Sequence, residues 1–281
     1  MTARESGDVA EADRRFRVWM RQNLGHAADH FGLRVTGEPV FGWRDRSIGA
    51  PTAGSHGCRW LRVVSEQTAW ASGHGWTGNA DANAVTGLAK PRVLAVHEWA
   101  EGEWRRQRAE VMTLLPGTPC SATDTARSDL GEDLSDGWWT ELRSALDRLA
   151  TTTTERVGTD QEKVDRRVHA AFGAAVDVRI QRWETVHGDL HWSNVLRPLG
   201  ILDWELWGRG PAGTDAATLY CYSLTAPPLA RQVQDRFPVL DTPDGHRALL
   251  YVAARLLHRV ELGDHPQLAD PLRQLARGLL N

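Results

Sequence analysis

The hydrophobic pattern of the chain changes its period near residue 116, and this change constrains the fold most. Between residues 39 and 115 the apolar residues fall in short strand-like runs separated by turns, such as CRWLRVVSE and QRAEVMTLL. A polar loop follows Pro116 and Gly117, and from residue 138 the apolar residues recur at helical spacing. The sequence therefore predicts an α+β protein, with a small antiparallel β-rich lobe followed by a mainly helical lobe.

Each lobe contains one departure from this pattern. Residues 9–32 carry an apolar stripe at spacings of three and four, which predicts an amphipathic helix before the first strand. The block from Thr185 to Glu205 returns briefly to strand-like pieces within the helical part. We therefore place the N-terminal, nucleotide-binding lobe at 1–113 and the C-terminal lobe, with the catalytic loop and the substrate site, at 114–281.

Composition excludes several classes of protein. The chain has 281 residues, 41% of them hydrophobic, and a net charge of −3, so it can bury a real core and has no overall field that would recruit nucleic acid or an anionic membrane. Its first residues contain no apolar signal segment, and its three cysteines lie far apart. We expect a cytoplasmic protein with no nucleic acid or membrane partner; the composition leaves the oligomeric state open.

The chemistry is concentrated in the segment TVHGDLHWSNVLRPLGILDWE. His187, Gly188, Asp189 and Asn194 stand in the order H-G-D-x-x-x-x-N, and Asp203 follows nine residues after Asn194. A match to four fixed positions arises by chance in roughly one of several hundred chains of this length. Phosphoryl transfer needs a carboxylate beside the acceptor hydroxyl and oxygen ligands that hold magnesium against the donor phosphates. This order of residues can supply all three groups.

With these motifs the sequence resembles the aminoglycoside phosphotransferase family, small-molecule kinases that share the protein-kinase fold. The resemblance covers most of the chain loosely, and the late motifs are its specific part. It implies a two-lobed protein-kinase-like fold that transfers the γ-phosphate of ATP, or of GTP, to a hydroxyl of a small molecule such as an aminoglycoside or another natural product. Mg²⁺ is the implied metal, and antibiotic resistance is one role that the resemblance allows.

Site residues follow from the resemblance by position. Asp189 resembles the catalytic base, and Asn194 and Asp203 resemble the magnesium ligands. Asp215, in GPAGTDAATL, resembles the structural aspartate at the start of the next helix. The short step from Asn194 to Asp203 predicts a tight hairpin around RPLG.

The nucleotide-binding residues match the family less closely. The segment EVMTLLPG at 110–117 resembles the hinge that binds adenine through its backbone, which assigns Met112 and Leu114 to the nucleotide. Where the family has a phosphate-contacting lysine, this chain has Arg62. The family's glutamate that pairs with that lysine is also missing, and we predict that Asp81 takes its place. The glycine-rich turn GAPTAGSHG lacks the Gly-Lys-Ser/Thr pattern of a phosphate loop.

Two other functions remain open at this point. The absent lysine and glutamate are compatible with a non-catalytic nucleotide-binding pseudokinase. The order His187, Asp189, His191 also fits a metal-dependent hydrolase, although Asn194 and Asp203 would then be unexplained. His187 itself is expected to brace the loop rather than carry a proton.

The acceptor is less constrained than the reaction. Residues 1–113 have a net charge of +2 and the remainder −5, but from residue 241 onward five acidic residues face five arginines. That segment is therefore not evidently selective for cations. We expect Trp192 and Trp204 to line the acceptor pocket, and Glu205 either to reach the metal or substrate or to lie exposed at a strand end.

Overall fold

The computed structural model describes the backbone of residues 3–281 and the side chains of residues 10–281. The chain divides into two compact units. The first contains the described residues up to Asn83 together with Pro91–Leu115, and the second contains Ala84–Lys90 and Pro116–Asn281. Strands dominate the first unit and helices the second, so the predicted α+β architecture is confirmed. The sequence analysis had placed Ala84–Lys90 in the first lobe.

A six-stranded antiparallel sheet forms the frame of the first unit. Its strands are β1 (Arg34–Val35), β2 (Val40–Phe41), β3 (Ser47–Gly54), β4 (Gly57–Gln67), β5 (Val93–Glu101) and β6 (Arg105–Thr113). The order is β1-β3-β4-β6-β5, and β2 pairs with β3. Only Ser55 and His56 separate β3 from β4. The glycine-rich segment is therefore mostly strand, closed by a short hairpin loop.

Helix α1 (Ala3–His30) covers one face of this sheet and confirms the helix predicted over residues 9–32. Its apolar stripe, including Met20 and Leu24, packs in one core with Ile48, Leu61 and Ala109 from the strands. Burying side chains of this size stabilises the folded state by about 1.5–3 kcal/mol each.

Helix α2 (Gly73–Asp81) contributes Trp76 to a second, smaller core, where it packs with Val64 of β4. Successive side chains of a strand point to opposite faces of the sheet, so Arg62 and Val64 of β4 share a face, while Leu61 and Val63 join the α1 core. The indole of Trp76 donates a 3.0 Å hydrogen bond to Glu98 on β5. The face that carries Arg62 is therefore covered by α2 and contains charged groups.

The second unit is built from six α-helices and two short strand pairs. The helices are α3 (Asp136–Ala150), α4 (Gln161–Phe172), α5 (Thr214–Tyr222), α6 (Pro227–Arg236), α7 (Pro243–Glu261) and α8 (Ala269–Leu280). The strands are β7 (Thr118–Pro119) with β9 (Leu196–Arg197), and β8 (Trp183–Val186) with β10 (Gly208–Pro211). None of the described helices is both long enough and apolar enough to cross a bilayer.

Helix α7 is the central helix of this unit. It packs against α4, α5 and α8, and most of its middle residues are buried. It begins at Pro243, after Thr242 accepts a hydrogen bond at Oγ1 from the Gly245 amide at 3.1 Å. This cap and the proline at the first helical position favour a helix start here. Two of its charged side chains, Arg255 and Arg259, are mostly covered, with 18% and 19% of their surface exposed.

Candidate active site

The H-G-D turn adopts a conformation that only glycine tolerates at its centre. Gly188 has φ = +84°, and a Cβ there would lie 2.6 Å from the carbonyl oxygen of Leu206. Asp215, in the first turn of α5, accepts the amide hydrogens of His187 at 2.7 Å and Gly188 at 2.9 Å. These bonds fix the turn, and they confirm that Asp215 is structural.

His187 braces the same turn from inside. It is fully buried, its Nε2 lies 2.8 Å from the Leu202 carbonyl oxygen, and its Nδ1 accepts from the Asp189 amide at 3.4 Å. Burial lowers the pKa of His187 to about 4, so the ring is neutral at pH 7. Burial also raises the pKa of Asp215 to about 7, against the opposing effect of its two backbone hydrogen bonds.

These contacts disfavour the hydrolase interpretation. Both ring nitrogens of His187 face backbone groups, so neither is directed at a metal. Within the part of the chain that the structure describes, no group of three or more His, Cys, Asp and Glu side chains is arranged to hold a metal ion. The arrangement predicted for phosphoryl transfer is different, because one carboxylate and one amide act there together with substrate phosphates.

Asp189 is oriented by an arginine from α7. Nη2 of Arg255 lies 3.3 Å from Asp189 Oδ1, and Nη1 donates to the Gly188 carbonyl oxygen. Nη2 also lies 3.3 Å from Oγ1 of Thr218 on α5. Burial alone would lower the pKa of Arg255, but the carboxylate of Asp189 raises it. The Asp189 side chain is 24% exposed, so it is held in place and still accessible.

Asn194 and Asp203 are brought together by a hairpin. Leu196 donates from its amide to Gly200 at 2.9 Å, and the Leu202 amide donates to the Asn194 carbonyl oxygen at 2.8 Å. The tight hairpin predicted around RPLG is thereby confirmed. Asp203 follows directly, with φ = +57°, a conformation in which aspartate and asparagine are enriched.

The donor atoms of this hairpin fit Mg²⁺. Nδ2 of Asn194 lies 3.1 Å from the Asp189 carbonyl oxygen and 3.0 Å from His191 Nε2, so its amide hydrogens serve the loop and Oδ1 is the atom suited to a metal. Asp203 adds carboxylate oxygens. Amide and carboxylate oxygens are hard ligands of the kind that Mg²⁺ prefers. The residues present therefore match the predicted metal.

Two aromatic predictions are wrong. Trp192 and Trp204 are fully buried and do not line an accessible pocket. The indole of Trp192 donates to Ser223 Oγ at 2.9 Å, and that of Trp204 donates to the Ile201 carbonyl oxygen at 2.9 Å. Buried indoles anchor a core when their N–H groups find partners, as both do here. Glu205 is also buried, so it is not an exposed strand-end acid.

A second group of charged residues adjoins the catalytic loop and was missed from the sequence. His191 connects the two groups, with Nε2 3.7 Å from Asp189 Oδ2 and Nδ1 3.6 Å from Asp124 Oδ1. Oδ2 of Asp124 lies 3.0 Å from His265 Nε2 and 3.4 Å from Arg259 Nη2. Burial alone would raise the pKa of Asp124, but His265, His191 and Arg259 lower it to about 2.

One sequence signal could have identified part of this group. Arg255 and Arg259 stand four residues apart within YVAARLLHRV, an otherwise mostly apolar segment. A helix that is apolar on all sides is buried, and a charged side chain within it must then have a partner of opposite charge. Such a side chain therefore indicates a buried group of polar residues. Asp124 and His265 carry no comparable signal, because both lie in polar loops.

Arg62 is paired on the neighbouring strand of the sheet. The register sets Arg62 opposite Glu110, and Arg62 Nη1 lies 3.6 Å from Glu110 Oε2. Glu110 is buried and also accepts hydrogen bonds from Asn79 at 3.0 Å and Arg108 at 2.9 Å. Asp81, our predicted partner, accepts from Thr77 Oγ1 at 2.6 Å.

The hinge residues lie at the end of β6. Met112 is buried within the strand, opposite Trp60 of β4, and Leu114 follows the strand with 42% of its surface exposed. The hinge assignment of these two residues stays a prediction.

Comparison with known proteins now decides the family. The model of a phosphotransferase enzyme family matches residues 74–251, which is more than half of the chain. The chain belongs to this phosphotransferase family. The matched part of the phosphotransferase includes α2 from its second residue, Arg62's partner Glu110, and the whole catalytic loop and hairpin. No curated protein matches the chain.

One solved structure supports the predicted fold. A protein assigned as a fructosamine-3-kinase from Haemophilus somnus 129PT is similar with a TM-score of 0.52 and 12% identity, over 91% of this chain and 95% of that chain. A spectinomycin phosphotransferase, solved with ADP and spectinomycin, gives a TM-score of 0.43 and 9% identity over 80% of this chain and 79% of that chain. The first similarity confirms the predicted kinase-like fold of the phosphotransferase.

Proposed function

We propose that this phosphotransferase moves the γ-phosphoryl group of ATP, or of GTP, to a hydroxyl of a small molecule, with Mg²⁺ required. The observation that supports this most is the local arrangement of the catalytic loop. Asp189 is ionically paired and accessible, Asn194 is bonded to the same loop, and the hairpin sets Asp203 beside Asn194.

Each residue has a separate role in the proposed reaction. Asp189 orients the acceptor hydroxyl and takes its proton while the hydroxyl oxygen bonds to the γ-phosphorus and the bond to the leaving diphosphate breaks. Asn194 Oδ1 and the Asp203 carboxylate would hold the metal. When bound, Mg²⁺ offsets negative charge on the donor phosphates. Arg255 and Asp215 keep the loop in the required conformation, so most of the acceleration comes from positioning and charge.

The first unit is proposed to bind the nucleotide through three residues. Arg62 would place its guanidinium on phosphate oxygens, and its pairing with buried Glu110 fixes the direction of that side chain. The backbone of Met112 and Leu114 would bind the base.

Charge around Asp189 bears on the class of acceptor. Asp189 is paired with Arg255, Asp124 with Arg259 and His265, and Asp264 with Arg259. Each of these carboxylates therefore has a cationic partner, whereas a polycationic acceptor is best recognised by surplus negative charge. We propose a neutral or weakly charged hydroxyl compound as the preferred acceptor; an aminoglycoside remains one candidate.

A panel of acceptors tests this function. Wild type and Asp189→Asn would be incubated with ATP or GTP, Mg²⁺ and matched compounds: neutral sugars, their amino derivatives and aminoglycosides. Mass spectrometry would detect the phosphorylated product. We expect transfer to at least one hydroxyl compound by wild type and a loss of nearly all turnover in the variant. Nucleotide binding with no transfer to any acceptor would contradict the catalytic proposal.

That last outcome would favour the second candidate, a non-catalytic nucleotide-binding protein. Its motivating observation is the ion pair of Arg62 with Glu110, because the resemblance implies a phosphate-contacting lysine where this chain has Arg62. The same panel separates the two functions, because a pseudokinase binds nucleotide and yields no product.

A further inference from the structure

Lysine is rare in this chain, and one of its two lysines is buried. Of the 33 basic residues only Lys90 and Lys163 are lysines, so arginine carries almost all positive charge elsewhere. Lys90 is buried, with only 6% of its surface exposed to solvent. Lysine is almost never fully buried unless its charge is compensated. A buried ammonium in an arginine-rich chain therefore indicates that this position specifically requires a lysine side chain.

Lys90 lies beside the segment that carries the proposed metal ligand Asp203. It ends the segment Ala84–Lys90, which belongs to the same compact unit as the catalytic loop. The carbonyl oxygen of Ala89 accepts the amide hydrogen of Ile201 at 2.8 Å, so the segment runs along the chain just before Asp203. The Lys90 ammonium lies 5.5 Å from the ring centroid of Trp204, the residue after Asp203.

We propose that Lys90 binds the phosphates of the donor nucleotide, an assignment that rests on the proposed function. A compact ammonium with three donors suits the non-bridging oxygens of a triphosphate. Contact with the indole face favours an ammonium at this depth, since cations within about 6 Å of an aromatic ring are attracted to it. Lys90 thereby adds a phosphate-binding cation from the same unit as Asn194 and Asp203.

The scarcity of lysine allows this to be tested without any acceptor. The probe is an acyl phosphate of ATP, a mixed anhydride at the end of the triphosphate. A nearby lysine amine attacks the acyl carbon, an amide bond forms, the acyl–oxygen bond to phosphate breaks, ATP leaves and the amine releases a proton. The modified residue would be located by peptide mass spectrometry of the intact wild-type protein after labelling.

We expect acylation of Lys90 that an excess of Mg·ATP prevents. Lys163, whose Nζ donates to the Gly158 carbonyl oxygen at 3.1 Å, serves as the internal control, and its modification should not respond to Mg·ATP. Labelling of Lys90 that excess nucleotide does not reduce, or no labelling of Lys90 at all, would overturn the assignment.

Variants give a second readout. Lys90→Arg keeps the charge and Lys90→Met removes it, and Lys163→Met is the matched control. Thermal stabilisation by Mg·ATP should show an affinity about tenfold or more weaker in Lys90→Met, while Lys163→Met matches wild type. If Lys90→Met does not fold, Lys90→Arg and the labelling decide. If nucleotide stabilises wild type but Mg·ATP does not protect Lys90 from labelling, only the assignment of Lys90 is overturned. If neither ATP nor GTP stabilises wild type, the proposed function is overturned together with that assignment.

Discussion

At the scale of single residues, Asp189 is held by the guanidinium of Arg255 and is still accessible. Replacement by asparagine keeps its shape and removes its capacity to accept a proton. Asp189→Asn should lower turnover by about 10²–10⁴-fold and leave Mg·ATP binding unchanged. Steady-state kinetics with an accepted hydroxyl compound, together with nucleotide titration, would measure both. Wild-type turnover in this variant would exclude Asp189 as the base.

Arg255 supports a second prediction at this scale. Its removal takes away the partner of Asp189 Oδ1 and a donor to the Gly188 carbonyl oxygen. We expect Arg255→Met to lower kcat about tenfold or more with a smaller change in the KM for nucleotide, and Arg255→Lys to recover part of the loss. Arg273→Met, in the exposed ion pair of α8 with Asp270, is the matched control. Equal effects of the two methionine variants would contradict a positioning role for Arg255.

At the scale of secondary-structure elements, the start of α5 is joined to the catalytic loop by Asp215. Asp215→Ala leaves two buried amides without their acceptor, so the free energy of unfolding should fall by about 2–4 kcal/mol. Asp270→Ala, in the exposed first turn of α8, should change it by less than about 0.5 kcal/mol. Urea unfolding followed by the fluorescence of the 13 tryptophans would compare them. An Asp215→Ala variant as stable as Asp270→Ala would show that the loop is held by other contacts.

The loop before α3 is joined to the same region by Asp124, and this contact should depend on pH. The folded-state pKa of Asp124 is about 2, below its ordinary value of 3.8, so the ionised carboxylate stabilises the folded state above pH 4. That contribution is lost as the pH falls from about 4 to about 2. We expect Asp124→Asn to cost about 2 kcal/mol at pH 7 and progressively less below pH 4. Chemical denaturation of both proteins at pH 7, 4 and 2.5 would measure this; a constant difference would contradict it.

At the scale of the whole molecule, local patterns predicted the elements and long-range contacts decided the site. The apolar stripe of α1 and the spacing around RPLG were sufficient because helix periodicity and hairpin length are local properties. Glu110 could not be identified as the partner of Arg62, because that pairing requires the register between β4 and β6. Proximity in sequence to Asp189 and Asp203 also misplaced Trp192 and Trp204, since only the packed core shows which way an aromatic side chain points.

The contacts of Asp189 illustrate the same limit. Arg255 is 66 residues away in sequence, and Asp124 is reached through His191 from a loop before α3. The H-G-D-x-x-x-x-N motif was sufficient to predict a base, Asp189, and one metal ligand, Asn194, because their spacing is fixed by one loop. The residues that orient them come from other elements, and only the fold brings those elements together.

The central claim is that Asn194 and Asp203 bind a magnesium–nucleotide complex for phosphoryl transfer. The most direct test is the melting temperature of wild type and Asp203→Ala with ATP or GTP, each with and without Mg²⁺. A ligand that binds only the folded state raises the melting temperature, by about 3 °C or more at saturating concentration. We predict a magnesium-dependent rise in wild type that Asp203→Ala loses. No rise with either nucleotide, or an equal rise in the variant, would contradict the claim.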